Sequence, residues 1–157
     1  MRYWLMKSEP DETSIDHLAA EPARLFEWTG VRNYQARNFM RDEMRPGDKV
    51  LFWHSSCPEP GIAGIAEVAA AAHPDSSQFD PASPYLDAKS DPANPRWLCV
   101  DVRFVKKTRL VSPAELRQHP MLESMTVLKR GNRLSITPVT EQEWAYLMDM
   151  LGVGQAE

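Results

Sequence analysis

The chain has 157 residues, of which 43% are apolar and 25% are charged, and this composition excludes a disordered or fibrous protein. Its net charge of −4 excludes a strongly basic protein that coats nucleic acid without specificity, and no apolar run is long enough to cross a membrane. The length predicts one domain over residues 1–157. The two cysteines, Cys57 and Cys99, are too few for a disulfide framework, so we expect the protein in the reducing cytoplasm.

The first part of the chain alternates strands with short helices. Residues 3–6 are aromatic or apolar and predict an opening strand. A threonine and a serine at 13–14 predict the start of a helix that extends to about residue 20. An asparagine predicts a second helix over residues 33–44. The loop between these helices carries Trp28, where a core role is less necessary than it is for an aromatic residue on a strand.

The middle of the chain is dominated by strands. Residues 49–54 are nearly all apolar or aromatic, which is typical of a strand covered on both faces. A second strand is predicted over residues 62–70. The segment 73–96 contains repeated prolines, serines and aspartates, and it predicts a long irregular excursion. Residues 97–107 alternate apolar with polar side chains, which indicates a strand with one buried face.

The last third of the chain predicts two helices and one strand. Ser112 and the proline that follows it indicate a helix start, and Thr140 begins a final helix that extends to about residue 151. Residues 128–136 predict a strand between the two helices. Strands and helices thus alternate without a regular rhythm, which favours an α+β fold with a mainly antiparallel, barrel-like sheet.

Positive charge is concentrated in one segment of this acidic chain. Residues 98–137 carry eight Lys or Arg residues and three Asp or Glu residues, a local excess of +5. Such a segment suits contact with a phosphate backbone, and Lys106 and Lys107 are its candidate contacts. A solvated charged surface is the alternative interpretation.

Sequence signatures of common enzymes are missing from the chain. It has no glycine-rich phosphate loop, no nucleophile elbow and no paired histidines of a zinc protease. His54 and Cys57 have the spacing of half a zinc site, or of a nucleophile and its base. No second metal-binding pair accompanies them, and no residue is placed to orient the histidine. We therefore predict no metal and no cofactor.

Aromatic, amide and small polar residues cluster in two segments, 28–38 and 52–56. The rings of Trp28 and Trp53 offer flat faces, and amides such as Asn33 present both donors and acceptors. These are the groups that stack a flat heterocycle and bind its edge. The same residues also fit simpler roles, with the tryptophans in the core, the asparagine as a helix cap and the nearby arginines in solvent.

Several motifs of the chain resemble the EVE domain family. The most specific is Gly-Val-Arg-Asn-Tyr-Gln-Ala-Arg-Asn at residues 30–38. The other resembling segments, spread over nearly the whole chain, are 7–10, 47–48, 52–55, 60–64, 84–87 and 133–135. The resemblance implies a PUA-like fold, which is a small mixed β-barrel surrounded by short helices.

The resemblance also implies a function. EVE domains are similar to YTH domains, which trap methylated adenine of RNA in an aromatic cage, and to domains that hold flipped, modified cytosine of DNA. The chain is thus expected to be a non-catalytic module that recognises a modified base in RNA or DNA. The residues implied for the base-binding cleft are Lys7, Ser8, Trp28, Asn33, Gln35, Asn38, Trp53, His54 and Ser55. The residues implied for phosphate contacts, besides the basic segment, are Arg32, Arg37 and Arg133.

Two other functions use the same cleft. An enzyme or a small-molecule binder would act on a free nucleoside-like heterocycle, with Glu9, His54 and Cys57 as the candidate reactive groups. An interaction module would retain the cleft without using it.

Overall fold

The structure, a computed structural model, describes residues 1–21, 23 and 25–153. The strands in this part of the chain are β1 (Tyr3–Ser8), β2 (Leu25–Glu27), β3 (Lys49–His54), β4 (Gly61–Pro74), β5 (Leu98–Val111) and β6 (Ile136–Val139). The α-helices are α1 (Ile15–Ala20), α2 (Tyr34–Asn38), α3 (Pro113–Arg117) and α4 (Glu141–Met150). None of the helices in the described ranges is both long and apolar enough to cross a membrane.

The strands form one mixed sheet with the order β2-β5-β4-β3-β1-β6. β1 and β3 are parallel, and every other neighbouring pair is antiparallel. The predicted α+β class and mainly antiparallel sheet are confirmed. The prediction of a barrel is wrong, because β2 and β6 lie at opposite edges of the described sheet and do not pair with each other.

Both faces of the sheet are covered, and each face has its own core. Side chains of a strand alternate between the two faces. Trp4, Met6 and Phe52 therefore lie in a first core with α1 and α2, whereas Leu5 and Trp53 lie in a second core with α3 and α4. This arrangement explains why β3 has an almost continuous apolar sequence.

Local signals located most helix starts correctly. Ser14, Ser112 and Thr140 cap α1, α3 and α4 with their hydroxyl groups, and Asn33 caps α2 by accepting a hydrogen bond from the Ala36 amide. The predicted second helix continues past α2 as one π-helical turn over Phe39–Glu43.

The predicted strand over 128–136 is wrong in most of its length. Asn132 accepts a hydrogen bond from the Leu134 amide and donates one to the Thr126 carbonyl, which holds the segment in a turn. The strand β6 begins only at Ile136.

Candidate functional site

A cavity of about 810 Å³ opens where β1 and β3 end. Because the two strands are parallel, both chain segments leave the sheet at the same place, and the Ser55 amide donates to the Ser8 carbonyl at 2.9 Å. The residue just before β6 lies beside the end of β1, because the Lys7 amide donates a hydrogen bond to the Ser135 carbonyl at 2.8 Å. The cavity is completed by the loop between β2 and α2 and by the segment 77–85.

Half of the residues predicted for the site line this cavity. Those in the lining are Lys7, Ser8, Trp28, Arg32, Asn33, Ser55 and Arg133. Those outside the lining are Gln35, Arg37, Asn38, Trp53, His54, Lys106 and Lys107. The segments 7–8, 28–33 and 55 are therefore brought together by the fold, whereas α2 and β5 point their side chains elsewhere.

Trp28 forms part of the cavity wall and also belongs to the first core. Its side chain is only 4% exposed. The indole ring packs edge-on against Phe26 and Phe52, with ring centroids 5.6 Å and 5.4 Å away. Trp28 therefore lies in the core and in the cavity wall at once, and its ring is held by its neighbours. Its contact with a base remains a prediction.

Trp53 lies on the other face of the sheet, and the prediction that it lines the cleft is wrong. It follows Phe52 in β3, so its side chain points away from the face that carries Trp28. It is buried in the second core. The two tryptophans therefore cannot form the two walls of one cage.

Three other predicted cleft residues lie outside the lining of the cavity. Gln35 is exposed on α2, and the Asn38 amide oxygen accepts hydrogen bonds from Arg37. His54 accepts a hydrogen bond from the Ile15 amide through Nε2 at 3.1 Å and so holds the start of α1. Burial lowers the pKa of His54 below its ordinary value. His54 and Cys57 are both outside the lining, which contradicts their use as a reactive pair at this cavity.

Arg32 lines the cavity but uses all of its donors within the protein. Its guanidinium group donates to the Tyr85 carbonyl twice, to the Val31 carbonyl, to Ser77 Oγ and to Asp75 Oδ2. A guanidinium group has five N–H donors, and all five are used here. The predicted phosphate contact by Arg32 is therefore replaced by a structural role, in which it ties the segment 75–85 to the loop before α2.

Asp75 is the buried anion of this arrangement, with no exposed surface. Its carboxylate accepts hydrogen bonds from the Gly30 amide, from Ser77 and from Arg32. Burial alone would raise the pKa of Asp75, but these hydrogen bonds hold it below its ordinary value.

This depressed pKa predicts acid sensitivity. A carboxyl group whose pKa is lower in the folded state stabilises the protein above its ordinary pKa, and the contribution is lost as the pH falls through the folded-state pKa. We expect the difference in unfolding free energy between wild type and Asp75→Asn to be largest near neutral pH and to narrow below about pH 4. Urea denaturation at several pH values measures this, and a difference independent of pH would contradict it.

Sequence reasoning missed Tyr85 as a cavity residue. Its hydroxyl donates to Glu12, and this hydrogen bond, with burial, raises the pKa of Tyr85 to about 12. Its ring packs on Gly30, where a Cβ atom would lie 2.8 Å from ring carbons and where φ is +86°. A larger residue at Gly30 would thus displace the ring. The sequence did contain a signal for Tyr85, because Pro84 and Tyr85 belong to the segment 84–87, one of those that resemble the EVE domain family.

The charged groups of the cavity are of both signs. Glu9 and Glu12 lie in the lining with Lys7 and Arg133. Within the part of the chain that the structure describes, neither cationic side chain has a carboxylate or hydrogen-bond partner. Burial lowers the pKa of the Lys7 ammonium group. The cavity therefore offers two kinds of polar contact to a ligand, carboxylate acceptors and cationic donors.

Three of the eight cations in the basic segment form ion pairs in the structure. Lys107 pairs with Asp16 at 2.9 Å, and Arg109 pairs with Glu115 at 2.7 Å. Arg103 pairs with an acidic residue of β4 at 3.0 Å. Two of these acidic partners, Asp16 and the residue of β4, lie outside the segment, so they offset part of its excess of +5.

Outside the cavity, one group of side chains has the composition of a metal site. Glu27, His73 and Asp101 have ligand atoms within 4.8 Å of one another. Without a metal, His73 Nε2 is hydrogen-bonded to Asp101 at 2.8 Å. The nearby thiol of Cys99 is not a thiolate, since burial raises its pKa to about 12. That the protein binds no metal remains a prediction.

Comparison with known proteins identifies the family. The model of the EVE domain matches residues 2–150. Human thymocyte nuclear protein 1 is 40% identical over 165 residues, which cover 94% of this chain and 73% of the human protein. The chicken protein of the same name is 40% identical over 166 residues, which cover 94% of this chain and 68% of the relative.

Solved structures agree with this assignment. A protein from Pseudomonas syringae is similar with a TM-score of 0.89 and 46% identity, covering 94% of this chain and 98% of that one. Human thymocyte nuclear protein 1, solved in complex with DNA containing 5-methylcytosine, is similar with a TM-score of 0.90 and 38% identity, covering 98% and 99%. The chain therefore belongs to the EVE domain family.

Proposed function

We propose that this chain is a single, non-catalytic domain that binds nucleic acid carrying a modified base and holds that base in the cavity at the ends of β1 and β3. The observation that carries the proposal is the human relative, which was solved with DNA containing 5-methylcytosine and matches 98% of this chain. DNA with 5-methylcytosine is therefore the first ligand to test.

The cavity has the chemical groups that a cytosine ring requires. The ring has an amino group that donates hydrogen bonds and a carbonyl oxygen that accepts them. The carboxylate of Glu9 suits the amino group, and the Lys7 ammonium suits the carbonyl oxygen. Ser8 and Ser55 add hydroxyl groups that both donate and accept. Trp28 provides a rigid apolar wall.

A base in duplex DNA must leave the helix to reach such a cavity. Rotating a nucleotide out of the stack costs a few kcal/mol, and contacts in the protein pocket offset this cost. The cavity of about 810 Å³ is large enough for one base with its sugar. Arg133, which is exposed at the rim, is placed for a phosphate of the same strand.

The lining favours binding over catalysis. Among the described residues, it contains serine hydroxyls but no histidine or cysteine that would activate them or act as a nucleophile. Cys57 and Cys99 are free thiols, which supports the cytoplasm as the location of the protein.

The experiment is a titration of the protein with two DNA duplexes that differ only in one 5-methyl group on cytosine. The proposed function predicts tighter binding of the methylated duplex, by about tenfold or about 1.4 kcal/mol. Equal affinity for both duplexes would contradict recognition of the modification.

Replacing Lys7 with methionine is expected to weaken DNA binding without lowering the stability of the fold. The change removes a partly buried charge but keeps the length of the side chain. We expect the affinity for methylated DNA to fall at least tenfold, because a hydrogen bond from a charged group is lost. The melting temperature should stay equal or rise, since burial disfavours the ammonium group.

Lys106→Met is the matched control for this variant. Lys106 is exposed and lies outside the cavity lining, so we expect its affinity to remain within about twofold of wild type. An equal loss of affinity in both variants would favour the basic segment as the nucleic-acid surface and contradict the role of Lys7.

A further inference from the structure

Aromatic rings and guanidinium groups form a continuous row that leads out of the cavity. The Arg32 guanidinium lies 5.5 Å from the ring centre of Tyr85 and 5.3 Å from that of Trp97. Trp97 stacks on Tyr34 at 4.9 Å with an angle of 20° between the rings. The Arg37 guanidinium lies 4.8 Å from the ring centre of Tyr34. The row therefore begins at the cavity rim and ends on the surface of α2.

The row ends in a second groove, of about 480 Å³. Its charged and aromatic lining consists of Tyr34, Arg37, Arg41, Lys89, Asp91 and Arg96. The groove adjoins the cavity, because Asn33 lines the cavity and the next residue along the chain lines the groove. The cavity and the groove therefore lie on either side of the start of α2.

Two of the four cations in the groove are not neutralised by a carboxylate. Arg37 donates to the Asn38 amide oxygen and to the Arg96 carbonyl, which are uncharged acceptors. The Lys89 ammonium has no side-chain partner within the described residues. Arg96 pairs with Asp87, and Arg41 pairs with its neighbour in sequence. Asp91 adds one carboxylate that has no cationic partner among the described residues, so the groove retains a small net positive charge.

Tyr34 gives the groove a second property of a nucleic-acid surface. The residue is 52% exposed, although one face of its ring stacks on Trp97. An exposed ring beside cations is the arrangement by which proteins follow a nucleic-acid strand without reading its sequence.

We propose that this groove binds the sugar-phosphate backbone next to the modified nucleotide, with Arg37 and Lys89 on phosphates and Tyr34 against the neighbouring sugar or base. This inference rests on the proposed function of the cavity. It places the main phosphate contacts at α2 and the segment 89–96. Arg37 is also a phosphate contact that the family resemblance implies, whereas Lys89 was not predicted from the sequence. The groove contacts no base edge of the modified nucleotide, so it contributes to the affinity for DNA but not to the preference for the methylated duplex.

The test uses Arg37→Gln and Lys89→Gln, with Arg117→Gln as the matched control. Each variant removes one positive charge, and Arg117 is exposed on α3 outside both cavities. Affinities for methylated and unmethylated duplexes are measured at several salt concentrations. We expect the slope of log affinity against log salt to decrease by about one in each groove variant and to stay unchanged in the control.

The ratio of the two affinities distinguishes the groove from the cavity. We expect both groove variants to keep the wild-type preference for the methylated duplex, whereas Lys7→Met reduces it. Unchanged salt slopes in both groove variants would overturn the groove while leaving the proposed function intact. A reduced preference in Lys89→Gln, whose exposed side chain is not needed for folding, would also overturn it. Failure of the wild-type protein to bind either duplex would overturn the proposed function and the groove together.

Discussion

Replacing Trp28 with alanine is expected to lower the free energy of unfolding by about 3–5 kcal/mol, the usual cost of removing a large aromatic side chain from a core. The side chain is 4% exposed and packs against Phe26 and Phe52, so its removal leaves a void between them. Denaturation in urea measures the loss. This effect is larger than the loop position of Trp28 in the sequence suggests.

Trp28→Phe is the control, because it keeps an apolar ring in the same space. We expect it to recover most of the stability and to bind methylated DNA more weakly than wild type, since the stacking surface is smaller. A loss below about 1 kcal/mol in Trp28→Ala would contradict the core role of this residue.

Arg32→Ala is expected to cost about 3–5 kcal/mol, because it leaves the buried carboxylate of Asp75 without its cationic partner. The same change releases the Tyr85 carbonyl, so the segment 75–85 loses its attachment to the loop before α2. We therefore expect binding to weaken together with stability. Thermal or urea denaturation and a DNA titration measure the two effects.

Arg103→Ala is the comparison for this prediction. Arg103 also pairs with a carboxylate, but its side chain is 51% exposed, and pairs of this kind contribute less than about 1 kcal/mol. If both variants lost the same small amount of stability, Arg32 would not hold the segment 75–85. In that case its guanidinium group would again be a candidate for phosphate binding.

Residues whose role depends on their sequence neighbours could be predicted, and residues whose role depends on distant partners could not. The caps at Ser14, Asn33, Ser112 and Thr140 are local signals, because each side chain bonds to an amide three residues later. The strand β3 was evident from its apolar run, since both of its faces are buried. Closure of the sheet into a barrel could not be predicted from such local signals, because it depends on whether the two edge strands, β2 and β6, pair with each other.

The assignment of site residues failed where tertiary contacts decide. Alternation along β3 places Trp53 and Phe52 on opposite faces, but the sequence does not say which face meets Trp28. The partners of Arg32 include Asp75 and Tyr85, which are 43 and 53 residues away in the chain. Likewise, the sequence did not show that two cations of the basic segment, Arg103 and Lys107, pair with acidic residues outside it.

In our proposal, the cavity and the groove make two separate contributions to recognition. The proposed cavity contacts distinguish one base from another, and the proposed groove contacts use charge that any phosphate backbone satisfies. An acidic protein with a net charge of −4 can bind DNA in this way, because a few cations beside the cavity determine its salt dependence.

The most direct test of this account is a crystal structure of the protein with a short duplex that contains one 5-methylcytosine. The account predicts that the methylated base lies outside the helix, in the cavity bounded by Trp28, Ser55 and Tyr85. A methylated base that remains stacked in the duplex, or that binds elsewhere on the protein, would contradict it.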